Sequence, residues 1–143
     1  MKVLAVVIAL ALSAWSLAER RVVIDVSEQK AYWYNDDALI KTCQVSTGYK
    51  RKHGPKNKRG GETPRGVFHV LRKLPMAYST KYGDAPMPHA VHFTGKVYLH
   101  ACQRKDIKHL GSKASHGCVR LHPKTAGALF EWIQVGDTIE VRD

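Results

Sequence analysis

The chain has 143 residues, 44% of them hydrophobic, which suffices for one domain with a real core and leaves too little for a second. Its 23 lysines and arginines against 12 acidic residues give a formal charge of +11, an excess that favours polyanionic partners or anionic substrates as well as solubility. Three cysteines, an odd number, exclude a framework in which every thiol is paired within the chain.

Met1 and Lys2 precede an apolar run over residues 3–12, and Ser16 and Ala18 then supply small residues of the kind a signal peptidase reads. Residues 1–18 are therefore expected to be a secretory signal peptide. A membrane anchor would need about 20 continuous apolar residues; here Ser13 and Ser16 interrupt the run, and Glu19 and Arg20 close it. No cysteine follows the small residues to accept a lipid. Residues 19–143 are thus expected as a monomeric domain without a stable membrane span, exported to the periplasm or cell envelope. Export turns the positive charge away from nucleic acid and toward anionic material outside the cell.

Residues 21–26 and 31–34 are rich in β-branched and aromatic side chains, with residues 27–30 as a hairpin connection. Asn35, Asp36 and Asp37 make the next turn, and residues 39–47 read as a third strand ending at Gly48. Residues 49–61 are irregular and carry Lys50, Arg51, Lys52, Lys56, Lys58 and Arg59. A loop of that length in a compact domain is functional or disordered, and this one reads equally as a basic arm or a solvated flap. Further strands are expected at 67–71, 90–93, 97–100 and 138–141, which makes the domain mainly β. Ala126, Leu129, Phe130 and Ile133 have the spacing of a buried helical stripe, with Pro123 where the helix begins and Gly136-Asp137 turning into the last strand.

The chemistry concentrates in Ser115-His116-Gly117-Cys118-Val119-Arg120. A thiol must become a thiolate to attack, and with a free pKa of about 8.5 it needs a neighbouring base or dipole. In an extended segment residues i and i+2 share a face, which nominates His116 as the base for Cys118. His100, at the end of an apolar strand, is a second candidate, and the carbonyl of Ala101 can orient its imidazole. Spacing does not choose between them. Gly117 lets the backbone approach a substrate, where its amides can serve as an oxyanion hole. Pairing of Cys43 with Cys102 would leave Cys118 free, and any other pairing would silence it. His100 and Cys102, with His116 and Cys118, also make two His-x-Cys pairs, but one intervening residue is shorter than the two to four typical of structural zinc sites. No metal is assigned.

His100, a spacer of 14 residues and then Ser115 to Arg120 resemble the signature of the L,D-transpeptidase catalytic-domain family, bacterial cell-wall enzymes with a cysteine nucleophile. Ser46-Thr47-Gly48, Thr63-Pro64-Arg65-Gly66, Met87-Pro88, Leu110-Gly111 and Gly136-Asp137-Thr138 agree with the same pattern, so the resemblance spans residues 21–141. It implies a β-sandwich or barrel with a mixed sheet and a short C-terminal helix, filling residues 19–143. It also implies Cys118 as nucleophile, His100 as general base, His116 as a supporting residue, and the amides around Gly117 and Cys118 as the oxyanion hole. Arg120, Ser115, Met87 and Ala101 are implied on the substrate side. Ala101 stands where the family commonly has Gly or Ser, and Cys102 is the less expected neighbour. The implied reaction is acyl transfer on peptidoglycan stem peptides without a cofactor, giving cross-linking, protein anchoring or L,D-carboxypeptidase trimming in cell-wall biogenesis. The competing readings are a non-catalytic cell-wall or zinc-binding module, and an exported wall hydrolase or toxin.

Overall fold

The computed structural model describes residues 17–50 and 61–143; the expected signal segment and the core of the basic loop lie outside the described residues. Among the described residues there are nine strands, one α-helix and two 3-10 turns. β1 (Arg20–Asp25), β2 (Lys30–Asn35) and β3 (Ala38–Ser46) form the expected antiparallel meander. β4 (Gly66–His69), β5 (Arg72–Ser79), β6 (Ala85–Thr94) and β7 (Val97–Ala101) follow, then β8 (Val119–Leu121), α1 (Pro123–Trp132) and β9 (Thr138–Arg142).

The sheet runs β4-β9-β1-β2-β3-β8-β7-β6-β5, with parallel pairs β1–β9 and β7–β8 in an otherwise antiparallel order. β3 is the corner: residues 38–44 pair with β2, while Val45 and Ser46 pair with β8. The sheet curls on itself, because its two edge strands, β4 and β5, are joined through only Val70 and Leu71, and the Leu71 amide already donates to the His92 carbonyl of β6 at 2.8 Å. Phe68 and Phe93 meet across that closure with ring centroids 5.5 Å apart. This is the mixed, mainly β architecture that the sequence led us to expect.

Alternate residues of the strands fill the interior: Val22 and Ile24 from β1, Val91 and Phe93 from β6, Leu99 from β7, Val119 and Leu121 from β8, and Ile139 and Val141 from β9. Helix α1 closes one side of this core. Pro123 occupies its first turn, where a missing N–H costs nothing, and His122 Nδ1 accepts from the Lys124 amide at 3.2 Å. Ala126, Leu129 and Ile133 are buried as the stripe predicts, whereas Phe130 is only partly buried, between His89 and the ammonium of Lys73.

Three strands depart from the sequence reading, one of them β8, whose three residues were read only as part of the Ser115–Arg120 motif. β5 was not anticipated, because Pro75 and a mostly exposed run give it no alternation; it is the edge of the sheet, where a proline is tolerated. β6 starts at Ala85, five residues before the expected strand, and carries Pro86, Pro88 and a positive φ of 52° at His89. Its pairing with β5 therefore rests on tertiary context, not on propensity.

Leu99 is fully buried directly behind the His100 backbone. Leu99→Ala should lower stability by about 2–5 kcal/mol, read as a fall in the urea midpoint with an unchanged m-value.

Candidate active site

β7 and β8 lie parallel with Leu99 opposite Val119, His100 opposite Arg120 and Ala101 opposite Leu121. Because side chains alternate across a strand, Leu99, Ala101, Val119 and Leu121 enter the core while His100 and Arg120 share the other face. Cys118, one residue ahead of β8, continues the register opposite Tyr98 and falls on that same face. Together these side chains line a cleft of about 940 Å³, bounded on its far side by the β5–β6 hairpin.

Within the cleft, His100 Nδ1 lies 2.8 Å from the carbonyl oxygen of Ala101. A carbonyl only accepts, so Nδ1 carries the hydrogen and Nε2 is the basic nitrogen of the ring. Burial pushes the His100 pKa down to about 4; the bond to Ala101 opposes this and the nearby Arg120 charge adds to it. The imidazole is therefore neutral at physiological pH. The Cys118 thiol is pushed above its ordinary value, chiefly by burial, against the opposing influences of a Tyr98 backbone bond and the charges of Arg120 and Lys81. Its S–H donates to the Lys96 carbonyl at 3.8 Å. The resting cleft thus holds a neutral thiol and a neutral imidazole.

The segment before β8 is bent, not extended as the His116–Cys118 spacing argument assumed. The His116 ring stacks on Tyr82 at 4.5 Å between centroids and lies 6.1 Å from Tyr49. It thus bridges the hairpin tip and the end of β3. Buried polar groups hold this bend. The Ala114 and Ser115 amides both donate to the Thr47 carbonyl at 3.0 Å, and Gln29 brackets Thr47, accepting from its amide and donating to its hydroxyl. The Thr63 hydroxyl accepts from the Gly48 amide and donates to the Gly117 carbonyl at 2.7 Å. Ser115 Oγ donates to the Cys118 carbonyl and accepts from the Gly117 amide. Gly117 has φ of 132°, a conformation that side chains strain. Gly48 packs so closely that an added Cβ would lie 2.9 Å from the Gly117 nitrogen and press on the Gly61 carbonyl.

Of the remaining residues singled out in the sequence, Met87 is buried beside Ala77, Ala90 and Cys118 and lines the cleft. Arg120 Nη1 reaches the Ala114 carbonyl at 3.5 Å. All three cysteines are free thiols, so Cys43 and Cys102 are not bridged. The sequence reading missed Arg72, Tyr78, Tyr82, Lys96 and Tyr98, which also line the cleft. Most of them belong to the unanticipated hairpin, so their only signal was an aromatic and basic bias.

A family model of the L,D-transpeptidase catalytic domain matches residues 19–141. The chain belongs to this family. Among solved structures it is similar to an L,D-transpeptidase from Mycobacterium smegmatis, at 27% identity and TM-score 0.75 over 88% of this chain and 59% of that one. It is also similar to an LD transpeptidase solved in complex with imipenem, at 25% identity and TM-score 0.73 over 87% and 59%. An L,D-transpeptidase from Stackebrandtia nassauensis shares the fold at 23% identity and TM-score 0.72, over 92% and 62%. The chain thus spans about three-fifths of the length of these structures. Comparison with curated proteins gives no match. Among the described residues of the L,D-transpeptidase domain no group of three or more His, Cys, Asp or Glu side chains is placed to hold a metal ion. Nor, among them, is any helix long and apolar enough to cross a membrane.

The buried neutral His100 makes stability pH-dependent. Between its folded pKa of about 4 and the ordinary 6.5, only the unfolded chain binds the proton, so stability is lost as pH falls through this window, by about 3 kcal/mol in full. Urea midpoints at pH 7 and 4.5 should differ accordingly, and His100→Gln should flatten the dependence. Gly48→Ala should displace the bend that carries Cys118, lowering both the melting temperature and the accessibility-corrected rate of thiol labelling.

Proposed function

We propose that the domain is an exported peptidoglycan L,D-transpeptidase that works by cysteine acyl transfer, with Cys118 as nucleophile and His100 as general base. The observation that carries this reading is the bond from His100 Nδ1 to the Ala101 carbonyl, which leaves Nε2 as the proton acceptor on the strand face shared with Cys118. His116, held by its stack on Tyr82, is a supporting group and not the base.

On substrate entry Sγ attacks the carbonyl between the L-centre and the D-residue of a stem peptide, and its proton passes to His100 Nε2. The developing oxyanion is met by backbone donors at Cys118 and its neighbours. The Gly117 amide is already engaged by Ser115 at 3.2 Å, so the Cys118 amide is the better-placed donor. The C–N bond breaks, terminal D-alanine leaves with the proton from His100, and a thioester remains. An amine then attacks the thioester, giving its proton back through His100 to Sγ. A stem-peptide side chain as acceptor gives a cross-link, a protein lysine gives anchoring, and water gives carboxypeptidase trimming. Arg120 and Met87 belong to the substrate wall of the cleft. The reaction places the protein in the periplasm or cell envelope.

The neutral resting pair gives the base a role that a preformed thiolate would not need. Cys118→Ala and Cys118→Ser should abolish D-alanine release from a tetrapeptide while leaving the circular dichroism spectrum unchanged. His100→Ala should cost about 10²–10⁴ in rate, and His116→Ala much less. Turnover by the alanine variant of Cys118 at the wild-type rate, or a loss confined to His116→Ala, would overturn the assignment.

A further inference from the structure

Four side chains form one row across the cleft face. Arg72 on β5 pairs with His92 on β6, His92 pairs with Tyr98 on β7, and Tyr98 continues in register to Cys118. Directly paired residues share a face of the sheet, and three interstrand steps of about 4.8 Å put the Arg72 backbone roughly 14 Å from that of Cys118. The row is ordered by its own contacts. The His92 ring stacks on Tyr98 at 4.6 Å and its Nε2 lies 2.7 Å from the Gly95 carbonyl, while Arg72 Nη2 donates to the Tyr98 hydroxyl at 3.2 Å.

Arg72 is thereby fixed at the cleft without a carboxylate partner. The ion pairs among the described residues are Arg21–Glu140, Arg65–Asp143 and Arg142–Asp25. A guanidinium carries five N–H donors, so one bond to Tyr98 leaves a fork that matches a carboxylate. The cleft around it is lopsided in charge: Lys81, Lys96, Lys105 and Arg120 line it with Arg72, and among the described residues Asp106 is the one acidic side chain on its wall. The 14 Å span corresponds to about four residues of extended peptide, which brings a second carboxylate of the acyl donor, beyond the terminal one that departs, within reach of Arg72.

We propose that Arg72 is a specificity-determining residue that reads a free carboxylate on the acyl-donor peptide, so that the domain prefers acidic stem peptides to the same peptides carrying a carboxamide at that position. This deepens the transpeptidase reading and rests on it for the identity of the donor.

Two tetrapeptides ending in D-alanine, differing only in one internal carboxylate or carboxamide, test the idea. KM is measured for release of D-alanine, and Kd by calorimetry on Cys118→Ala, which needs no turnover. The free acid should bind about tenfold more tightly, as expected for a charged hydrogen-bonded pair near solvent, with kcat little affected. Arg72→Gln should collapse the difference, Arg72→Lys should keep part of it as a point charge without the fork, and Lys105→Gln should keep most of it. Equal affinity for both peptides would overturn the proposal. So would a preference that survives Arg72→Gln, or one that Lys105→Gln erases as strongly, since the reader would then be the general field of the cleft. A calorimetric preference lost in the Cys118→Ala, Arg72→Gln double variant, with no D-alanine released by wild type, would uphold the carboxylate site and sink the acyl-transfer reading instead.

Discussion

The register of β7 against β8 is the constraint on which the site depends. With His100 opposite Arg120 and Leu99 opposite Val119, two polar side chains face the cleft and the flanking Leu99, Ala101, Val119 and Leu121 are sealed in the core. A slip of β8 by one residue would turn Arg120 into the core and bring Val119 and Leu121 out of it. The hydrophobic cost of such a slip protects the geometry of the cleft. Core stability and site geometry are here the same fact, because the residues that resist unfolding are those that alternate with the polar ones.

Such a short strand cannot hold the residues before it. β8 has three residues, and Cys118 lies just outside it. The bend is fixed instead by polar groups that the fold buries around Thr47 and Thr63, where almost every donor meets an acceptor on the bend or on the end of β3. Buried polar groups are costly when unsatisfied and directional when satisfied, so they define one conformation where apolar packing would tolerate several. Gly48 and Gly117 are required at the closest approach, one for lack of space and one for its backbone angle. The same burial acts on the titratable groups, moving His100 down and Cys118 up until both are neutral. Neither charge is stored in the resting molecule.

The sequence was most legible where local pattern and tertiary role coincide. The strands of the opening meander and β7 could be read from short runs of β-branched, aromatic and apolar residues, and the Ala126–Leu129–Ile133 stripe from its helical spacing. The His100 and Ser115–Arg120 blocks were legible through their resemblance to a family, since spacing alone pointed equally to His116. The hairpin of β5 and β6 was not legible. Pro75, Pro86 and Pro88 argue locally against strands, and the pairing is upheld by the edge position of β5 and by the packing of Ala77, Met87 and Ala90. Nothing within that segment of the chain announces those neighbours.

That illegible hairpin supplies the far wall of the cleft, and this division has a physical logic. The side bearing His100 and Cys118 is built on interior strands whose positions are locked by the core. The opposite side is built on an edge strand, which carries Arg72 and Tyr78, and on the turn after it, which carries Tyr82. Residues there can be charged or aromatic at little cost to folding. They answer less to the core than to one another, as the stack of Tyr82 on His116 and the bond of Arg72 to the Tyr98 hydroxyl illustrate.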